Sequence, residues 1–410
     1  MHSPEENVPA YRTIRVAASE DPEAALAEEE AHLARERYPH FMGLGPVFGV
    51  AHEREAGGWS LHGYFSNAYP QQARETLGSH LRRLAHQAEE AGDEAAREEL
   101  QRAGERPDWE TVDEMTVRGV RYRVVRAEQV IRSGPDGPEP PRRSDPDPAE
   151  PGEARKLPDP TEGFVIDPIL PTGMAEGLLK VDLLRLGHLA DADPEAQRDA
   201  EAARHSHPGG ALLPTTYCFA EEEGSRWRPR MSHSSTPQDA RDGLAYSLRV
   251  LDPVMENLDE TQRAVYREAA DRLDEERPSD FRFAGRHLRV VRVERFVRIG
   301  PDGPEGPRPS DPDPYPPVHI HDQQLRERGE LPEDDDEDAE PELTAKARAW
   351  HEELHRLSMR EKERQEQREQ ERERNRARQS RTGSERGPSP RRDGAQHPAS
   401  GPERDEPDEG

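Results

Sequence analysis

Cysteine is almost missing from this chain. A single Cys218 in 410 residues excludes an internal disulfide and any multi-cysteine zinc or iron–sulfur site. Long apolar runs are missing too. No stretch approaches the roughly 20 apolar residues that a membrane helix needs, and the opening Met-His-Ser-Pro-Glu-Glu lacks the apolar core of a signal peptide. The expectation is a soluble, cytoplasmic protein that does not engage a membrane. Lysine is confined to Lys156, Lys180, Lys346 and Lys362. With abundant Ala, Gly, Pro, Glu and Asp, this reads as a GC-rich coding bias before any selection for arginine. The P-loop, the GxGxxG fingerprint, HExxH and GxSxG are all absent, which removes the commonest recognisable enzymes but not a cofactor-free one. No cofactor is expected.

What is present is charge and proline. Asp and Glu number 86 against 58 Lys and Arg, a formal net charge of −28 that disfavours binding to a phosphate backbone. Only 31% of residues are hydrophobic, and 40 are proline. A mean hydropathy of −1.12 averages a modest core with segments too polar to offset the entropy of ordering. The composition predicts a folded body followed by a disordered tail.

The dominant pattern is an internal repeat. GVRYRVVRAEQVIRSGPDGPEPPRRSDPDP at 119–148 aligns without a gap to GRHLRVVRVERFVRIGPDGPEGPRPSDPDP at 285–314, with about two-thirds of positions identical. PQQARETLGSHLR at 70–82 parallels PQDARDGLAYSLR at 237–249, Trp59 parallels Trp227, and Asp21-Pro-Glu-Ala parallels Asp193-Pro-Glu-Ala. In the first unit Tyr11–Val16 reads as a weak strand. Asp21-Pro22 supplies an N-cap and an N1 proline for a helix to about Arg37. Pro46–Ala51 and Trp59–Phe65 form a hairpin around Glu-Arg-Glu-Ala-Gly-Gly. A helix runs from Pro70 to about Ala103, and Tyr122–Ile131 is a strand ending in the Gly-Pro-Asp-Gly turn. The second unit repeats this with Leu178–Leu186, Pro194–Arg204, Leu213–Phe219, Trp227–Met231, Pro237–Leu273 and His287–Arg298. The predicted fold is α+β: two tandem β-α-β-β-α-β modules of ferredoxin-like order.

The division expected is a disordered 1–10, module 1 at 11–148, a linker and docking segment at 149–177, module 2 at 178–322, and a tail at 323–410. Within the linker, GFVIDPILPTGM at 163–174 reads as an extended segment lying on the body. The tail opens with an acidic run, Glu333–Glu340. Thr344–Met359 then carries Trp350, Leu354 and Leu357 as a narrow apolar stripe suited to a protein partner. Glu361–Arg378 reads as a solvated helix, and the remainder as disordered.

Candidate site residues come mainly from the repeat. The GPDGPE…SDPDP segment could place Asp136, Glu139, Asp145 and Asp147, with Asp302, Glu305, Asp311 and Asp313, around a ligand or cation; the plainer reading is a structural turn followed by polyproline II. The preceding strand repeats cations, Arg123, Arg126 and Arg132 with Arg289, Arg292 and Arg298, beside the carboxylates Glu128 and Glu294; Arg126 and Glu128 share one face and Arg123 takes the other, as Arg292 and Glu294 do opposite Arg289. These charges form either an anion site or ion pairs that tie the GPDGPE loop down, and the second reading is favoured. With His287, the pocket or clasp candidates are Arg126, Glu128, Asp136, Arg292, Glu294 and Asp302. His205/His207 and His319/His321 with Asp322 have strand-like spacing for a metal, but no companion cluster accompanies them. No metal site is assigned. Cys218, Trp59 and Trp227 read as core residues.

RYPHFMGLGPVFGV at 37–50 and the two RVVR…GPDGPE…SDPDP stretches resemble a family of actinobacterial proteins, abundant in streptomycetes, classified only as a domain of unknown function. The resemblance covers roughly 10–320, with Arg143 in the first copy standing where the second has Pro309. It implies no reaction, ligand or catalytic residue. The residues themselves favour a non-catalytic binding or scaffold protein with a pseudo-symmetric body. The alternative is a small-molecule sensor or cofactor-free enzyme with a pocket in or between the modules.

Overall fold

A computed structural model describes residues 12–17, 21–186, 193–331 and 344–384. The first sequence copy and its upstream partner segments form α1 (Pro22–Arg37), β1 (His40–Glu53), β2 (Trp59–Asn67), α2 (Pro70–Glu90), α3 (Glu94–Trp109), β3 (Glu114–Val117), β4 (Val120–Gly134) and the short β5 (Gly137–Pro138). A connecting segment adds β6 (Val165–Ile166) and α4 (Met174–Arg185). The second copy and its partners form α5 (Pro194–Ser206), β7 (Gly209–Glu223), β8 (Arg226–Ser234), α6 (Pro237–Tyr246), a π turn at Ser247–Leu251, α7 (Asp252–Met255), α8 (Glu260–Glu276), β9 (Asp280–Phe283), β10 (Arg286–Gly300) and β11 (Gly303–Pro304). Then follow α9 (Val318–Glu327) and α10 (Ala345–Ser384). The fold is α+β, and the strands join in one curled antiparallel sheet.

Local signals explain most of these elements. Asp21 accepts from the Glu23 N–H at 3.1 Å and Pro22 opens α1. Gly92 at φ +75° ends α2, and Asp93 then caps α3 through the Ala96 N–H, so the single helix expected to Ala103 is two. The corresponding stretch of the second copy, expected as one helix over Pro237–Leu273, breaks at the π turn and again before Asp259, whose capping box with Gln262 starts α8.

Two expected strands are not strands. Leu178–Leu186 lies almost wholly in α4. Its leucine-rich run favours a helix, which buries Leu179 and Leu183, at i and i+4, together with Lys180. In Tyr11–Val16, Tyr11 lies outside the described residues, and Val16 makes only an isolated parallel bridge to Thr172. Apart from the one-turn α7 and the two-residue β5 and β11, each half therefore runs α-β-β-α-α-β-β rather than β-α-β-β-α-β. Its three long strands pair in the order β2-β1-β4 or β8-β7-β10, and the halves join through β4 and β10. That junction is three residue pairs long, centred on Gln129 opposite Arg295. The GFVIDPILPTGM segment adds β6 to the edge of β2, opposite Trp59 and Ser60, before α4 begins at Met174.

The sheet has two unlike faces. One carries Val125 and Ala127 together with Trp59, Leu61, Phe65, Ala211, Leu213, Val297 and Ile299, a core drawn from both copies. On the other face α4 lies over the junction, with Leu179 and Leu183 packed on Val130 and Phe296. The described residues up to Leu357 make one compact unit and those from Ser358 another. Within the first unit, Glu353 of α10 pairs with Arg263 of α8 at 2.5 Å and Leu357 is buried, so part of the expected partner-binding stripe is already occupied, while Trp350 stays exposed. The acidic run Glu333–Glu340 lies outside the described residues. Among the described residues no helix is long and apolar enough to cross a membrane.

Candidate functional site

The repeated GPDGPE…SDPDP segments cross over: each is gripped by the strand of the other copy. Arg126 on β4 donates to Asp311 at 2.8 Å and to Glu128 at 2.6 Å, and its N–H donates to the Glu305 carbonyl at 2.9 Å. Arg292 on β10 mirrors this with Asp145 at 3.1 Å, an ion pair to Glu294, and an N–H bond to the Glu139 carbonyl at 3.0 Å. Arg123 donates to the Asp302 and Pro304 carbonyls, and Arg289 to those of Asp136 and Pro138. The last aspartates of the motif cap distant helices: Asp313 accepts from the Gln71 N–H of α2 and Asp147 from the Gln238 N–H of α6. Trp59 lies under Gly303 and Trp227 under Gly137, with Arg123 and Arg289 guanidinium groups over the rings.

This accounts for most of the candidates named from sequence. The coulombic pull of Glu128 and Asp311 holds Arg126 above the ordinary arginine range despite burial, and Arg126 with Arg308 holds Glu128 below the carboxylate range. Asp302 binds Arg121 and Arg123 and is held well below the carboxylate range by those hydrogen bonds. Asp136 makes only an exposed pair with Arg37. His287 bridges Glu222 at 2.7 Å and Asp280 at 2.6 Å, edge-on to Trp227. It stands where the first copy has Arg121, which pairs with Glu114 and Glu53 in the same way. The histidine pairs do not sit on strands. His205 and His207 end α5, and His319 and His321 lie on α9, against Trp109 and Tyr315 respectively. Burial pushes the Cys218 thiol up to about 12, leaving it unreactive.

Two of the candidates, Arg292 and Glu294, reach a cavity of about 350 Å³ between α1, α4 and the sheet. Arg35 from α1, Arg132 from β4 and Arg142 from the loop join them there. A bulge in β7 at the register shift opposite Val293/Arg295 turns Thr215 to the same place, where its hydroxyl accepts from Arg292 at 2.9 Å. Leu179, Leu212 and Phe164 form an apolar wall.

The arginines differ in how they are held. Arg35 donates to Asp182 at 3.1 Å, Arg142 to Glu139 at 2.7 Å, and Arg292 to Asp145 and Glu294. The Arg132 side chain is 4% exposed and donates no hydrogen bond among the described residues; its guanidinium lies over the Phe41 ring, 4.5 Å from the centroid, and its ion pair with Asp182 is a loose 3.7 Å. Burial draws it below the ordinary arginine range, against Glu139 and Asp182 and with the like charges Arg142 and Arg35. Its counterpart Arg298 donates to the Leu184 and Leu186 carbonyls at the end of α4, at 3.2 and 3.0 Å.

A second cluster was not anticipated. His52, His62 and His80, from β1, β2 and α2, stack beside Tyr122; His52 Nδ1 and His62 Nε2 are 2.6 Å apart, and Arg83 lies 2.8 Å from His80 Nδ1. Burial lowers His62 to about 3 and His80 to about 4. Only the cross-strand pairing of a hairpin could have brought His52 to His62, and that register is invisible in spacing alone. Among the described residues no three His, Cys, Asp or Glu side chains converge as a metal site.

The profile of a family of unknown function, DUF5954, matches residues 21–314. No curated protein and no solved structure is significantly similar to the chain.

Proposed function

The chain belongs to this family of unknown function, DUF5954, and we propose that it is a cytoplasmic, non-catalytic binding protein that holds a small organic anion in the cavity between α1, α4 and the sheet. The observation that carries this reading is Arg132. A buried guanidinium without a hydrogen-bonded carboxylate is costly, because its charge has left water for a partner 3.7 Å away. An anion in the cavity removes that cost. The cavity volume, about 350 Å³, falls in the range of small-molecule sites. The duplicated framework serves the site by rigidity, since the crossed clasps fix Arg142 and Arg292 from both copies. Glu294, the carboxylate beside Thr215, is occupied by Arg292, which supports binding over nucleophilic chemistry.

The test is thermal stability of the full chain against sodium acetate, phosphate, citrate and benzoate, each over a concentration series. A ligand of the native state raises the midpoint as its concentration exceeds Kd. At least one anion should do so in the parent and fail in Arg132→Met. If none does, or if both proteins respond alike, the reading is wrong.

A further inference from the structure

Resting on that reading, we propose that the ligand is a monocarboxylic acid with an apolar body, of about a dozen heavy atoms in all. Charge is the first argument. Of the four arginines at the cavity, three are already matched by hydrogen-bonded carboxylates, and Arg132 alone is not. One cation whose carboxylate is out of hydrogen-bond reach suits one anionic group. A second negative charge would meet Glu28, Glu176 and Glu294, which line the same space and repel it.

The geometry of the head group follows from the repeat. Arg298 stands where Arg132 stands in the other copy, and it is given two acceptor oxygens by the last turn of α4. Helix α4 occurs once: its last carbonyls complete Arg298, whereas to Arg132 it offers only Asp182, 3.7 Å away and already accepting hydrogen bonds from Arg35. A carboxylate supplies the missing pair of oxygens, and its planar fork matches the guanidinium.

The rest of the ligand is set by the walls. Leu179, Leu212 and Phe164 supply apolar lining beside the arginines, and Ala27, Ala31 and Ala175 add short side chains. The volume of about 350 Å³ corresponds to about a dozen waters at liquid density, which limits the ligand to a similar number of heavy atoms.

Titration calorimetry on the full chain would use sodium octanoate and 2-naphthoate as probes, with 1-octanol, phosphate and citrate as comparisons. The two monocarboxylates should bind, and 1-octanol, which keeps the body and loses the charge, should bind at least tenfold more weakly. Arg132→Met should weaken octanoate by about ten- to a hundredfold, the loss expected for a hydrogen bond to a charged group. Ala31→Phe, which fills the space and leaves every arginine in place, should abolish binding while the protein still melts cooperatively. If phosphate or citrate binds more tightly than octanoate in an Arg132-dependent manner, the monocarboxylate assignment is overturned while the anion site stands. If no probe binds, both fall.

Discussion

The stack of His52, His62 and His80 makes the first copy sensitive to acid in a way that can be calculated. Arg83 donates to His80 Nδ1, which must therefore be bare, and the 2.6 Å contact between His52 and His62 needs one nitrogen to accept. His80 and at least one of His52 and His62 are thus neutral in the folded protein, and burial lowers all three. The charged neighbours are cations, Arg83 near His62 and His80 and Arg54 near His52, and Tyr122 adds a phenol. Unfolding returns the imidazoles to about 6.5. Above that pH neither state binds the proton and the stack is silent. Below it the unfolded chain gains protons that the folded stack refuses, so stability falls with pH until about 4 for His80 and about 3 for His62. At pH 5 each of these two costs about 2 kcal/mol in the limit of full burial, and partial water access brings the pair to about 2–4 kcal/mol. The second copy provides the control. Where the first has His52 and His62, opposite Tyr122 and Val50, the second has Glu221 and Arg230, opposite Leu288 and Phe219, and these form an ion pair at 2.7 Å. Urea titrations at pH 7.5, 6.5 and 5 should show the parent losing about 1–2 kcal/mol more stability at pH 5 than His52→Glu/His62→Arg, which removes the His62 share and keeps that of His80, while the two stay close at pH 7.5. Parallel profiles for the two proteins across this range would refute the argument.

Three other outcomes follow from the clasps and the tail. Asp311→Ala leaves Arg126 buried beside a lost partner, with side chains 3% and 5% exposed, and should cost about 3–5 kcal/mol in denaturant unfolding; Asp136→Ala, in an exposed pair, should leave the midpoint unchanged. Gly303→Ala puts a Cβ 2.6 Å from Trp59 Nε1 at φ +111°, and a loss of about 1–3 kcal/mol is expected from thermal melts, with quenching or a shift of tryptophan fluorescence as the ring moves. Truncation after Leu357 removes the second compact unit and should leave the cooperative melt of the first unchanged, as circular dichroism would show.

How much of this was readable beforehand depends on whether the cause was local. Asp21-Pro22, the Gly-Gly hairpin before Trp59 and the β-branched run of β4 act within a few residues of themselves, and those elements stand where their sequences place them. Helix α4 was misread because Leu178–Leu186 is apolar enough to satisfy either period; its choice is made by what it covers, Val130 and Phe296, more than a hundred residues apart in sequence. The clasps show a subtler limit. Spacing within one copy suggests that Arg126 should meet Asp145, whereas the curl of the sheet delivers Asp311 to it and Asp145 to Arg292. In a duplicated sequence both assignments are chemically identical, and only the three-residue junction of β4 and β10 distinguishes them. The same degeneracy hid the cavity. Arg132 and Arg298 are the same residue in the same motif, and nothing in either copy marks one for a ligand. The difference is made by a single unrepeated helix, whose last carbonyls complete one arginine and leave the other, held by a loose ion pair and a ring contact, beside the cavity. In a fused pair of repeats, then, the place to look for function is where one non-repeated element breaks the symmetry, and here the motif that attracted attention is the framework around it.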